Sequence, residues 1–154
     1  MAKLKSLISK HRTFKGLNKK YFDLIFSCSS EARFDPGEII FREGETANKF
    51  YIILQGKVAL EAAMAPDRDP IIVLNLGEND VLGWSWLFPP HRWHFDARAT
   101  SLTKAISIDG EKIRNECEND HNLGYELMKR FAQLIEQRLR SLRSQNPNMY
   151  AIHA

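Results

Sequence analysis

A mainly β domain with flanking helices is the fold class the sequence predicts, and three observations predict it. Between Ala32 and Ile108 short apolar or alternating runs of strand length are separated by clusters of turn-forming residues. Helical spacing, with apolar residues three and four apart, precedes that region and returns after it. The chain has 154 residues, 44% of them hydrophobic, enough to bury the core of one domain and too few for two ordinary ones.

The elements follow in order. Leu4, Leu7, Ile8 and His11 recur at i, i+3, i+4 and i+7, a short amphipathic helix that docks on its own domain. Leu17, Tyr21, Leu24, Ile25 and Cys28 form a second stripe, with Asn18 placed to cap its start. Turn signals then arrive at Asp35-Pro36-Gly37, Arg42 to Glu45, Gln55-Gly56, Pro66 to Asp69 and Gly77 to Asp80. Pro36-Gly37 suits the centre of a type II turn, where proline presets φ and glycine accepts a positive value. Gln55-Gly56 lies between Lys49 to Leu54 and Lys57 to Glu61, so a tight hairpin joining two paired strands is expected there. Ile71 to Leu76 reads as a strand buried on both faces, and Phe95 to Leu102 and Lys104 to Ile108 as two more. Asp96 and Arg98, two apart, share a strand face and form a surface ion pair in this reading.

Asp109 is placed to cap a helix over Gly110 to Glu118, and Asp120 another over Asn122 to Gln145. In the latter Leu123, Leu127, Phe131, Leu134, Ile135, Leu139 and Leu142 make a wide stripe. At ~1.5 Å per residue this helix outruns a small β-core, so a homodimer through Asn122 to Gln145 is expected. Asn146-Pro147 ends it. The resulting division is a basic arm at 1–16, a domain at 17–145 with its β-region at about 32–108 and terminal helices at 109–145, and a tail at 146–154.

Charge is uneven. Met1 to Lys20 holds seven lysines and arginines and no acid, whereas the remaining 15 basic and 19 acidic residues leave Tyr21 to Ala154 at −4. A solvated helix face accounts for the arm; contact with phosphates, an anionic membrane surface or an acidic partner is the alternative. Cys28 and Cys117 form neither a metal-type pair nor a disulfide framework, which suits a reducing compartment. No apolar run reaches the ~20 residues of a membrane helix and no signal peptide is evident, so a cytoplasmic protein is expected.

The functional density lies in Asp80 to Ser101, which holds Trp84, Trp86 and Trp93, all three tryptophans, with His91 and His94. His91 and His94 form an H-x-x-H, but no second histidine pair or carboxylate completes a cupin-like metal set, and neither an acyl-transfer elbow nor a P-loop appears. No enzyme, metal site or cofactor is expected.

Gly37, Gly44 and Gly56 in FDPGEIIFREGETANKFYIILQGKVAL, then Gly77 before Asp80-Val81-Leu82-Gly83, then the long terminal helix, resemble the cyclic-nucleotide-binding domain family of the catabolite activator protein and the cAMP-dependent kinase regulatory subunit. The resemblance covers about Leu17 to Gln145. It implies a double-stranded β-helix, a jelly-roll-like β-roll with an N-terminal helix and a long C-terminal helix, and a phosphate-binding cassette after Gly83. In the family the cassette offers a Glu to the ribose and an Arg to the cyclic phosphate. Aligned without a gap, Trp84 stands at the Glu position and Trp93 at the Arg position, and an indole can neither accept a ribose hydrogen bond nor pair with a phosphate.

The implied function is a stand-alone regulatory or sensor domain that binds a cyclic nucleotide or other anionic small ligand and relays it through the C-terminal helix. Gly83, Trp84, Ser85, Arg92, Trp93 and His94 are the candidate ligand-binding residues. The alternative is a ligand-free protein-interaction module in which Trp84 and Trp93 plug the pocket. Direct DNA binding is not expected, because no helix-turn-helix follows the long helix.

Overall fold

Alternate residues of the central strands leave for opposite sides, and the two sides become the two halves of the core. A computed structural model describes residues 2–145 of the chain; the expected stop at Asn146-Pro147 and the tail 146–154 lie outside the described residues. Helices α1 (Ala2–Lys10) and α2 (Lys19–Ser27) lead into strands β1 (Ser29–Phe34), β2 (Ile39–Phe41), β3 (Lys49–Gln55), β4 (Val58–Ala62), β5 (Ile71–Leu76) and β6 (Val81–Leu82). A 3₁₀ turn (Ser85–Leu87), β7 (Asp96–Ala99), β8 (Thr103–Asp109), α3 (Gly110–Asn119) and α4 (His121–Gln145) complete the order. The first sheet runs β1-β8-β3-β6 and the second β2-β7-β4-β5, with every pair antiparallel. The double-stranded β-roll with an N-terminal helix and a long C-terminal helix is therefore the observed architecture.

On β3, Phe50 and Ile52 join Ile106 and Ile108 of β8 in a cluster with the helices, while Tyr51 and Ile53 join Ala105 inside the roll. β6 divides the same way: Val81 faces the helices and Leu82 the roll. One face of a single sheet thus carries α1, α2, α3 and α4, and the other encloses the interior.

The helix boundaries follow the capping residues. The Asn18 side chain accepts from Lys20 N, Asp109 from Lys112 N, and Asp120 Oδ1 from Asn122 N and Leu123 N. The first stripe docks on the domain as expected, with Leu4, Ile8 and Phe14 in the cluster shared with Phe50 and Phe131, although Leu7 stays exposed. Residues of the basic arm therefore belong to the same core as the domain.

Three expectations are corrected. Gln55-Gly56 does not join a pair: β3 bonds β6 and β8, whereas β4 bonds β5 and β7. Gly56, at φ +102°, passes the chain from one sheet to the other so close to Leu102 O and Thr103 Cα that a Cβ has no room. β5 is not buried on both faces; it is the edge of the second sheet, and Ile71 and Ile72 are exposed. Arg98 shares a face of β7 with Asp96 but pairs with Glu61 of β4, Nη2 to Oε2 2.5 Å, while Asp96 Oδ1 accepts from Glu43 N. The neighbouring strand brings the carboxylate to the guanidinium, which spacing along one strand cannot reveal.

His11, at the end of the docked arm, is 7% exposed. Its Nε2 lies 2.7 Å from Asn79 O and its Nδ1 accepts from Thr13 N at 3.1 Å, a pairing that suits the neutral ring. Burial holds its pKa below the ordinary 6.5, with the backbone bond to Asn79 and the Asp80 charge opposing and the Arg12 charge adding. A lowered folded value means the unfolded chain binds the extra proton, so this stabilisation is complete above pH 6.5 and is lost as the pH falls through the folded value. The urea midpoint should therefore fall more steeply below pH 6.5 in the parent protein than in His11→Gln; parallel profiles would remove His11 as the cause.

Candidate ligand cavity

Val81–Leu82 ends at Gly83, whose φ of +98° turns the chain out of the sheet. Trp84 then precedes the 3₁₀ turn, closed by Leu87 N to Trp84 O and Phe88 N to Ser85 O. The returning segment is laced to the loop before β3: Ala47 N donates to His91 O, Trp93 N to Glu45 O, and Gly44 N to Trp93 O. Those bonds set the Trp93 indole in the roll, stacked on Phe41 with centroids 3.7 Å apart and planes 9° apart. Its ring also covers Gly83, where a Cβ would stand 2.7 Å from Trp93 Cη2 and Cζ3.

Beside this stack lies a cavity of about 330 Å³. Its apolar wall comes from Phe41, Leu60, Val73, Leu74 and Leu82 of the roll, with Trp84, Trp93 and Phe95 from the cassette segment. Ser85 and His94 supply polar edges, and Arg138 and Leu142 reach in from α4. Of the residues singled out in the sequence, Gly83, Trp84, Ser85, Trp93 and His94 are thus brought together at one cavity. Arg92 is not: its Nη1 donates to Gly44 O, and it bridges Thr46 on the surface. Trp86 points the other way, into the helical cluster between Phe50 and Phe131. Among the described residues no group of three or more His, Cys, Asp and Glu side chains is gathered as a metal site.

Arg138 is the residue that sequence reasoning missed. It is 6% exposed, donates from Nη2 to Val81 O at 2.6 Å, and lies with its guanidinium carbon 5.3 Å from the Trp84 ring centroid. Burial pushes its pKa down to about 10, against the pull of Asp80 and with the push of Arg12, so it remains charged at neutral pH. Among the described residues no carboxylate stands within ion-pair distance of it. The overlooked signal is position. Leu127, Phe131, Leu134, Arg138 and Leu142 occupy one face of α4, and a lone arginine in such an apolar row is buried or bound.

α4 is also tied to β5. Beyond Arg138 and Leu142, the Gln145 side chain accepts from Asn75 N at 3.0 Å and donates to Asn75 O at 3.3 Å, closing part of the exposed edge of β5.

A model of the family described as "Cyclic nucleotide-binding domain" matches residues 31–120. A CRP-like cAMP-activated global transcriptional regulator of Mycobacterium tuberculosis is 24% identical over 143 residues, 93% of this chain and 60% of that protein. The chain thus spans about three-fifths of that relative's length. A crystal structure described as a cyclic nucleotide-binding protein from Geobacter metallireducens GS-15 superposes with a TM-score of 0.77 at 28% identity, over 90% of this chain and 96% of that one. The sensor domain of the transcriptional regulator DNR from Pseudomonas aeruginosa superposes with a TM-score of 0.71 at 18% identity, over 90% and 93%, a likeness of fold.

Proposed function

The chain belongs to the cyclic nucleotide-binding domain family, and from that premise we propose that it is a regulatory sensor domain whose β-roll cavity takes a small ligand and reports it through α4. One observation carries the reading: α4 itself supplies Arg138 and Leu142 to the cavity wall, so an occupant touches the helix that would transmit its presence. A ligand shifts such a helix only by the difference in its affinity for two positions, ~1–3 kcal/mol in typical coupling. Gly83, Trp84, Ser85, Trp93 and His94 form the rest of the proposed site. The free thiols Cys28 and Cys117 suit a reducing, cytoplasmic setting, and no described helix is long and apolar enough to cross a membrane.

Tryptophan emission tests the sensor reading. Trp84 and Trp93 line the cavity and Trp86 does not, so Trp86→Phe isolates the two reporters. Titration with cAMP, cGMP, cyclic dinucleotides, linear nucleotides and small aromatic acids and amides is expected to change emission and raise the melting temperature with at least one class. A flat response to every class, with no small molecule retained in native mass spectrometry, would reject it. That outcome would favour the ligand-free interaction module, the reading supported by the Trp93 ring on Gly83, where the family places its phosphate.

The outer face of α4 supports a homodimer. Tyr125, Met128, Ala132, Ile135 and Leu139 recur at spacings of three and four, the heptad seam of a two-stranded coil, and Tyr125 and Met128 are exposed. Leu134, though in the same stripe by sequence, is 4% exposed against its own domain and lies off this seam. Ile135→Glu with Leu139→Glu is therefore expected to convert a dimer to a folded monomer in sedimentation. A parent protein that sediments as a monomer ends the proposal.

A further inference from the structure

Arg138 is a buried cation facing an apolar cavity, and that combination selects among ligands. Removing a guanidinium from water is costly unless an anion or a full set of acceptors meets it. Val81 O takes one donor and the Trp84 face covers one side, but no carboxylate of the described residues pairs with it. Asp80, whose charge acts on it, is engaged by Arg12 at 3.5 Å.

We infer that Arg138 is the anion anchor of this cavity and that the ligand is a compact, flat, apolar monocarboxylate rather than a nucleotide. The inference rests on the sensor reading above and names its ligand class. Three features carry it. The family's phosphate seat is covered by the Trp93 ring over Gly83, so an anion's partner must lie elsewhere. Among the described residues Arg138 is the one lysine, arginine or carboxylate side chain in the cavity wall, and a planar guanidinium fork matches a single carboxylate in a bidentate manner. The remaining wall is aromatic and aliphatic, with Ser85 and His94 as its other polar side chains. A sugar's hydroxyls and a base's polar edges would enter it largely unpaired, at a cost that a hydrocarbon ring avoids.

The same geometry explains the tryptophan at the position where the family has Glu. A carboxylate at residue 84 would sit beside Arg138 and neutralise it internally, whereas the Trp84 ring faces the guanidinium at 5.3 Å without satisfying its charge. The anchor has in effect moved from the cassette to α4, so that binding acts directly on the transmitting helix.

The test compares acids with their neutral isosteres on the full chain: benzoate, phenylacetate and indole-3-acetate against the corresponding amides, with cAMP as the nucleotide arm, followed by calorimetry and tryptophan emission. At least one acid is expected to bind roughly tenfold or more tighter than its amide, the margin of a charge-assisted hydrogen bond in a desolvated site. Arg138→Gln should weaken the acid far more than the amide and so erase that margin, and Arg138→Lys should restore part of it. The wild-type comparison needs no variant, so a poorly folding Arg138→Gln does not rescue the idea. Equal binding of acid and amide overturns the anchor and leaves the sensor reading standing. Binding of cAMP with no acid bound overturns the ligand class, and no binding by any acid overturns the inference. A retained neutral molecule in native mass spectrometry would then still support the cavity as a sensor site.

Discussion

Trp86→Ala is expected to lower the unfolding free energy by about 3–5 kcal/mol, the range for deleting a large buried aromatic. Trp86 is fully buried, stacked on Phe50 at 4.9 Å and met edge-on by Phe131 at 5.3 Å. Those two partners belong to β3 and α4, so the indole fastens the long helix to the sheet. Gly110, the first residue of α3, packs so closely that a Cβ there would lie 2.8 Å from the indole, and Arg114 Nη1 donates to Trp86 O. Little can collapse into the space because strand, helix start and helix flank meet around it. For a chain of this size the loss corresponds to a fall in melting temperature of roughly 6–20 °C. Trp86→Phe should cost much less, since Nε1 has no hydrogen-bond partner among the described residues and its removal relieves a buried donor. Equal losses in the two variants would mean that volume and stacking are not what Trp86 contributes.

Gly83→Ala is expected to destabilise by about 2–4 kcal/mol, from a positive φ that an L side chain adopts at a cost and from a collision that a packed core resists. The φ is +98°, and the added methyl would stand 2.7 Å from the Trp93 ring, which is itself held in a stack with Phe41. The two contributions separate in a double-mutant cycle. In a Trp93→Ala background the collision disappears and the strain remains, so the alanine should cost about 1–3 kcal/mol less there. Additive losses in urea unfolding would show that Trp93 does not rest on Gly83.

Local signals were legible because their causes are local. Asn18, Asp109 and Asp120 cap helices since a side-chain oxygen at that place in the chain meets free amides two or three residues on. Gly37 and Gly83 take positive φ for reasons internal to their turns. The spaced glycines and the long apolar stripe sufficed for the roll and for α4, and the crowded segment after Asp80, recognisable as unlike the rest, supplies Gly83, Trp84, Ser85, Trp93 and His94 to a cavity wall. The site residues were less so. Arg92 is adjacent to Trp93 in sequence yet is held outside the cavity by Gly44 O, because neighbours on an extended segment face opposite ways. Arg138 is 55 residues from Gly83 by number and was absent from any motif.

Periodicity and turn chemistry alone determine that this chain makes short strands between helices, where each helix starts, and that the stretch from Asp80 to Ser101 is unlike the rest. Pairing is another matter. That β3 and β4 part at Gly56 into different sheets, that β5 is an edge, and that Glu61 rather than Asp96 receives Arg98 all depend on which strand lies alongside. The charge in the cavity wall likewise exists only because α4 packs where Arg138 and Leu142 of its row reach the cavity. Backbone preference acts over a few residues, whereas burial and partnership are settled between segments that meet only when the chain has closed on itself.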